Sequence, residues 1–140
     1  MKTFTQFIAD AKENEEITSL WDMTSAFLIP RDQMPQVNVE DFVHRLSQLS
    51  IDWVKEKGIP SEFRPTQIDF DSEKANSIAM ELSANGSDDN NPIIVSNDLY
   101  VLDGHHRYIG SIISGVPVHV LAVDLPINKL LKLAMDIYNE

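Results

Sequence analysis

The run Asp103-Gly104-His105-His106-Arg107 contains the residue types that bind a phosphate group. An arginine side chain presents a planar set of donors to phosphate oxygens, and imidazole rings can donate further hydrogen bonds. Glycine has no Cβ, so an anionic ligand can approach its backbone closely. This run therefore predicts a site for the phosphates of a nucleotide, formed by Gly104, His105, His106 and Arg107.

The elements predicted on either side of this run favour the same interpretation. Residues 99–102 are typical of a short strand, and a helical pattern from about residue 105 ends at Gly115. The first N–H groups of a helix have no partner within it, and the helix dipole attracts anions to that end. We therefore expect the run to lie at a strand-to-helix junction, where a phosphate would meet free backbone N–H groups.

Two other interpretations of the run stay open. Asp103 could cap the helix and form a structural ion pair with Arg107. His105 and His106 could be half of a metal site, but neighbouring helical residues point about 100° apart. The remaining two histidines show no ligand spacing. The sequence therefore predicts no metal site made by protein side chains alone.

Length and composition limit the possible classes of protein. A chain of 140 residues fits one domain, and the absence of cysteine excludes disulfide bonds and thiolate metal sites. The net charge of −11 opposes generic binding to duplex DNA. No apolar run of about 18 residues could span a bilayer, and the first residues lack the apolar core of a signal peptide. We therefore expect a cytoplasmic protein.

The first part of the chain is predicted to be helical. Apolar residues at helical spacing predict two short amphipathic helices within residues 4–28. Residues 30–37 contain two prolines and predict an extended connector. From the cap Asn38, an apolar stripe predicts one helix that stops at Gly58, with the tryptophan of the stripe in the core. We therefore expect residues 1–58 to form a helical region packed on the core.

Residues 59–140 are predicted to alternate between short strands and helices. This order predicts an α/β (α+β) domain with a small mixed sheet, preceded by the N-terminal helices. Asp71 is predicted to cap one helix and Pro126 to open the last one. The predicted segments are residues 63–68, 72–84, 92–95 with 99–102 as a hairpin, 105–114, 116–123 and 126–137.

This order of elements, together with Asp-Gly-His-His-Arg-Tyr and a Val-Pro-Val strand, resembles the ParB/sulfiredoxin-like superfamily over roughly residues 63–124. In that superfamily a glycine-led turn ending in arginine binds nucleotide phosphates, and a lysine of the first helix also reaches phosphate. The resemblance implies ATP or ADP with Mg²⁺ as the ligand and Lys74 as a phosphate-binding residue. It also implies that Thr66 and Gln67 lie beside the nucleotide.

The Gly-His-His-Arg form is most similar to the small free-serine kinases of the superfamily. The resemblance therefore implies phosphotransferase or nucleotide-hydrolysing activity, with a small hydroxyl-bearing molecule as the acceptor. Such a reaction needs a carboxylate that orients or deprotonates the nucleophile. Asp69 is the first candidate because it follows the strand expected to flank the motif, and Asp103 and Asp71 are alternatives. His105 is a further catalytic candidate.

Other members of the superfamily match this sequence less well. Sulfiredoxins carry their catalytic cysteine where His105 stands here. Chromosome-partitioning ParB proteins have a helix-turn-helix region after the turn, which we do not expect before Glu140. Two alternatives remain. One is a non-catalytic module that binds a protein partner, for example a small tailed-phage protein acting in the host cytoplasm. The other is a ParB-like nuclease, which the charge and the lack of a carboxylate cluster disfavour.

Overall fold

The computed structural model describes residues 2–3, 29, 31–58, 60–67 and 69–138. The two helices predicted within residues 4–28 lie outside this part of the chain. In the described part, none of the helices is both long and apolar enough to cross a membrane.

The described residues form seven β-strands and four α-helices, with a short 3₁₀ helix at Arg31–Gln33. The strands are β1 (Lys2–Thr3), β2 (Trp53–Gly58), β3 (Arg64–Pro65), β4 (Asp69–Phe70), β5 (Ile93–Val95), β6 (Tyr100–Asp103) and β7 (Val118–Val123). The helices are α1 (Val39–Gln48), α2 (Ser72–Asn85), α3 (His105–Ser114) and α4 (Ile127–Tyr138).

Five of these strands form one mixed sheet in the order β2-β7-β5-β6-β3. The pairs β2–β7 and β5–β6 are antiparallel, whereas β5–β7 and β3–β6 are parallel. The short strands β1 and β4 form a separate antiparallel pair. The predicted α/β domain with a small mixed sheet is therefore confirmed.

Side chains alternate along each strand, so that apolar side chains point to both faces of the five-stranded sheet. Helices cover both of these faces. Ile93 of β5 packs in a buried cluster that includes residues of α2 and α3, such as Ala75 and Tyr108. Its neighbour Ile94 packs in a second cluster with residues of α1 and α4. The helices α2 and α3 approach closely at Gly110, where a Cβ would lie 2.8 Å from Ile78 Cγ2. The starts of α2 and α3 are joined by a separate contact, a hydrogen bond from the N–H of Asp71 to His106 Nε2.

The prediction of one helix from Asn38 to Gly58 is wrong in its second half. Asn38 does cap α1, accepting a hydrogen bond from the N–H of Asp41, but the helix ends at Gln48. Trp53–Gly58 is instead an edge strand that pairs along its whole length with β7. The apolar residues after Gln48 keep a helical spacing by chance. Their pairing with the distant strand β7 determines their structure instead.

Two further predictions for this region differ in outcome. Trp53 was expected in the core, yet 36% of it is exposed, because β2 lies at the edge of the sheet. His44 is exposed on α1, away from the apolar stripe, as its position in the pattern predicts. The division of the chain into residues 1–58 and 59–140 stays a prediction, although β2 belongs to the same sheet as the later strands.

Most elements predicted after residue 59 are confirmed, with one change. The helices α2, α3 and α4, the β5–β6 hairpin and the strand β7 lie where the patterns predict them. The strand predicted at residues 63–68 is shorter, because β3 covers only Arg64–Pro65, and the next strand, β4, belongs to the other sheet. The chain leaves the larger sheet at Thr66, whose hydroxyl donates to Val101 O at 2.7 Å and whose N–H donates to His105.

Candidate functional site

A cavity of about 550 Å³ contains most of the residues that the sequence singles out. Its floor is the junction between β6 and α3, and its sides come from α2, from the loop before β5 and from the connector that leads into α1. The predicted site residues on its surface are Gln67, Lys74, Asp103, Gly104, His105, His106 and Arg107.

Gly104 forms the turn between β6 and α3. It is the N-cap residue of α3 in the left-handed conformation, with a φ of 88°, and no side chain caps this helix. A Cβ at this position would lie 2.8 Å from Ile93 Cγ2 and 2.9 Å from Arg107 Nη2. Only glycine fits this backbone and this space. Because the cap is Gly104, the alternative in which Asp103 caps α3 is wrong.

His105 is fully buried and connects the turn to the preceding loop. Its Nε2 accepts a hydrogen bond from the N–H of Thr66 at 3.1 Å, so the ring proton lies on Nδ1. Burial, reinforced by the neighbouring His106 and Arg107, lowers the pKa of His105 to about 3. The ring is therefore neutral at ordinary pH and supports the turn. Its assignments to catalysis and to nucleotide binding stay predictions.

His106 makes an equivalent connection to the start of α2. Its Nε2 accepts a hydrogen bond from the N–H of Asp71 at 2.9 Å, and its ring packs edge-on against Phe70. Asp71 in turn caps α2, since its Oδ1 accepts hydrogen bonds from the N–H groups of Glu73 and Lys74. The predicted cap is thus confirmed. Both imidazoles use Nε2 as an acceptor, and the prediction that they donate hydrogen bonds to phosphate stays a prediction.

Arg107 is held at the edge of the cavity by two contacts. Its Nη2 donates to Pro92 O at 3.1 Å and lies 3.5 Å from Asp103 Oδ2. The predicted ion pair with Asp103 is therefore present. The guanidinium is not fully used, because its buried Nε has no hydrogen-bond partner among the described residues. About a third of the side chain is exposed, at 29%.

Asp103 places a carboxylate on the cavity surface, with 25% of its side chain exposed. Burial raises the pKa of Asp103 above its usual value, while Arg107, the N–H of Gly104 and Lys74 partly offset this effect. A carboxylate whose pKa is raised is a stronger base than an ordinary aspartate.

The remaining predicted residues occupy different environments. Lys74 is exposed in the first turn of α2, and Gln67 is buried but reaches the cavity surface. Thr66 is fully buried, and its hydroxyl donates a hydrogen bond to Val101 O of β6. The backbone of Asp69 belongs to β4, but its side chain lies outside the described part, so its catalytic role stays a prediction.

The opposite wall of the cavity was not predicted from the sequence. It consists of the residues from Met34 to Glu40, which lead into α1. The hydroxyl of Tyr138, at the end of α4, lies 3.0 Å from Asp41 Oδ2 and 3.3 Å from Asn38 O. Burial and the adjacent Asp41 raise the pKa of Tyr138 to about 12. The prolines predicted an extended connector, but Arg31–Gln33 at its start is a short 3₁₀ helix. Only the tertiary structure shows which site the connector borders.

Comparison with known proteins gives one structural match. No family model matches the chain, and no curated protein matches it. A solved structure of a Pnob8-like ParB-N domain is similar at 14% sequence identity, with a TM-score of 0.45. The match covers 62% of this chain and 36% of that chain. It is a likeness of fold between parts of the two chains.

Proposed function

We propose that the cavity binds a nucleotide through its phosphates. The observation that carries the proposal is the left-handed Gly104 at the start of α3, next to an arginine with an unused buried donor. Free N–H groups at a helix N-terminus and a guanidinium suit phosphate oxygens. Lys74 adds a second cation from α2. A cavity of about 550 Å³ is within the usual range for a small ligand.

The local charge supports this proposal even though the chain as a whole is acidic. Lys74 and Arg107 lie on the cavity with Asp103 and Glu40, so the charges there balance while the net charge of the chain is −11. Arg107 is already paired with Asp103, and a phosphate would compete for the same guanidinium. Divalent metal would reduce the repulsion between the phosphates and these carboxylates.

The residues present fit a magnesium nucleotide. No group of three or more His, Asp or Glu side chains in the described part could hold a metal ion. Magnesium commonly binds through one or two carboxylates together with substrate phosphates. Asp103 and Glu40 are the carboxylates on the cavity surface, and Glu40 is the one that could contribute to the metal when Asp103 acts as the base. When bound, Mg²⁺ would neutralise charge that develops on the phosphates.

The finer proposal is phosphoryl transfer from ATP or ADP to a hydroxyl-bearing acceptor, or to water. Asp103 is the carboxylate best placed to orient or deprotonate the nucleophile, because it lies on the cavity and its pKa is raised. Asp69 remains the alternative for this role.

Thermal unfolding with and without nucleotide tests the binding step. ATP or ADP with Mg²⁺ should raise the Tm, since a ligand at about 100 times its Kd adds roughly 2.7 kcal/mol of stability. Arg107→Lys keeps the charge but removes the planar fork, and should weaken binding of ATP by about tenfold or more while adenosine binding changes little. No shift with any nucleotide would contradict the proposal.

A non-catalytic module that binds a protein partner is the second candidate. The observation that favours it is the exposure of Leu49, Trp53 and Val54 at the end of α1 and the start of β2, at 54%, 36% and 50%. Exposed apolar side chains near a sheet edge are common in protein interfaces. This candidate would be preferred if the Tm were insensitive to every nucleotide tested.

A further inference from the structure

A second polar cluster lies outside the nucleotide cavity. It contains Ser87 and Asp89, from the loop between α2 and β5, and His119 from β7. Ser87 Oγ lies 2.8 Å from His119 Nδ1, and Asp89 Oδ1 lies 3.8 Å from His119 Nε2. The hydroxyl contacts the imidazole, and the imidazole contacts the carboxylate. This is the arrangement that activates a serine as a nucleophile.

The direction of the hydrogen bond between Ser87 and His119 depends on the ring tautomer of His119. The backbone N–H of His119 donates to Ser87 Oγ at 2.9 Å, and the hydroxyl keeps its own proton to donate. In the tautomer with the ring proton on Nε2, the nitrogen that lies 3.8 Å from Asp89 Oδ1, Nδ1 is an acceptor. In that tautomer the proton of Ser87 is directed at Nδ1. Removal of that proton would make Oγ a nucleophile.

The position of Ser87 relates this cluster to the proposed nucleotide site. Ser87 lines a cavity of about 300 Å³ that shares Ile78, Asn91 and Arg107 with the larger cavity. The guanidinium of Arg107 thus borders both spaces. Hydrogen bonds from the N–H of Asn90 and from the side chain of Asn91 lower the pKa of Asp88, which lies between Ser87 and Asp89 in the same loop, and Arg107 adds to this effect. An anionic electrophile would meet the guanidinium of Arg107 here.

We propose that Ser87 is a phosphoryl acceptor, modified by a nucleoside triphosphate bound in the larger cavity, with His119 as the general base. This proposal rests on the nucleotide binding proposed above. In the reaction, Ser87 Oγ forms a bond to the γ-phosphorus, and the bond from that phosphorus to the bridging β-oxygen breaks. The hydroxyl proton passes to His119 Nδ1 and then to water. The products are phosphoserine and a nucleoside diphosphate.

If the contacts between Ser87 and His119 are purely structural, a different result is expected. If Ser87 and His119 only attach the loop to β7, the hydroxyl is never modified and its loss lowers stability alone. The full chain is therefore incubated with ATP and Mg²⁺, and the product is examined by intact mass and by peptide mapping. The expected result is the mass of one added phosphoryl group, located at Ser87 in the wild-type chain. Peptide mapping of the wild-type chain gives this result without depending on whether any variant folds.

Variants identify the groups involved. Ser87→Ala should abolish the modification, whereas Ser83→Ala should retain it, because Ser83 is an exposed serine of α2 four residues earlier. His119→Gln should slow the modification by about 10²–10⁴-fold, the usual contribution of a general base. An unchanged rate in His119→Gln would overturn the role of His119. Circular dichroism of each variant checks that the fold is retained.

The outcomes separate this proposal from the one on which it rests. If ATP raises the Tm but Ser87 carries no phosphoryl group, the proposal for Ser87 is wrong and nucleotide binding stands. A phosphoryl group on another residue would also overturn it. If no nucleotide raises the Tm and no modification occurs, both proposals fail together.

Discussion

The Nε2 atom of His106 accepts a hydrogen bond from the backbone N–H of Asp71 at 2.9 Å. This bond connects the first turn of α3 to the cap of α2, and so places Lys74 and Arg107 on the same cavity. The positions of these two cations relative to each other therefore depend on the buried imidazole of His106.

Replacing His106 should reduce stability because it leaves a buried N–H without an acceptor. His106→Leu is expected to lower the free energy of unfolding by about 1–3 kcal/mol. Urea denaturation measures this change. The matched control is His44→Leu on the exposed face of α1, which should change stability by no more than about 0.5 kcal/mol. Equal effects in the two variants would show that the bond to Asp71 contributes nothing.

Replacing Gly104 should disturb both the backbone and the guanidinium beside it. Gly104→Ala combines a left-handed backbone, which costs about 1–3 kcal/mol for other residues, with a Cβ 2.9 Å from Arg107 Nη2. Gly115→Ala is the control, since its φ is also positive at 71° but a Cβ there would meet nothing within 4 Å. We expect Gly104→Ala to be the less stable variant and the only one of the two with weaker ATP binding. A comparable loss of ATP affinity in Gly115→Ala would contradict this.

The buried His105 should make stability depend on pH. The ordinary pKa of 6.5 applies to the unfolded chain, whereas the folded pKa is about 3. Between these values only the unfolded chain binds the proton. The stabilisation is therefore complete above the unfolded pKa and is lost as the pH falls towards the folded pKa, by up to about 1.4 kcal/mol per pH unit.

The variant His105→Gln isolates this effect, because an amide oxygen can still accept the N–H of Thr66 but does not titrate. Wild type should be the more stable protein near about pH 7.5, and its advantage should shrink by about 1–3 kcal/mol near about pH 4.5. Chemical denaturation at both pH values gives the difference. If the difference in stability between wild type and His105→Gln did not change with pH, the ring would not be buried in its neutral form.

The catalytic carboxylate can be identified by two matched substitutions. Asp103→Asn keeps the shape but removes the charge, and should lower turnover of ATP by about 10²–10⁴-fold while Kd changes only a few fold. Asp69→Asn is the comparison, and phosphate release with Mg²⁺ and with hydroxyl acceptors such as free serine is the assay. Loss of turnover in Asp69→Asn alone would transfer the role to that residue. Absence of turnover under all conditions, with nucleotide still bound, would exclude an enzyme.

The local sequence was sufficient to predict features that depend on residues within one turn, helix or strand. The run from Asp103 to Arg107 was predicted at a strand-to-helix junction, and the cap at Asp71 was predicted from its residue type, because both depend on backbone groups within a few residues. The alternation of strands and helices likewise predicted the mixed α/β fold.

The tertiary structure decided what depended on distant partners. Trp53 continued a helical stripe, yet its strand pairs with β7, some seventy residues away in the chain. The residue types of His105 and His106 did not indicate that both rings accept hydrogen bonds from backbone groups that folding brings to them. Ser87 and His119 have no recognisable spacing in the sequence and meet only when the loop after α2 packs against β7. Residue types and local spacing thus determined the strand-to-helix turn and its glycine cap, whereas the walls of the cavity and the partners of its side chains arise from contacts between residues far apart in the chain.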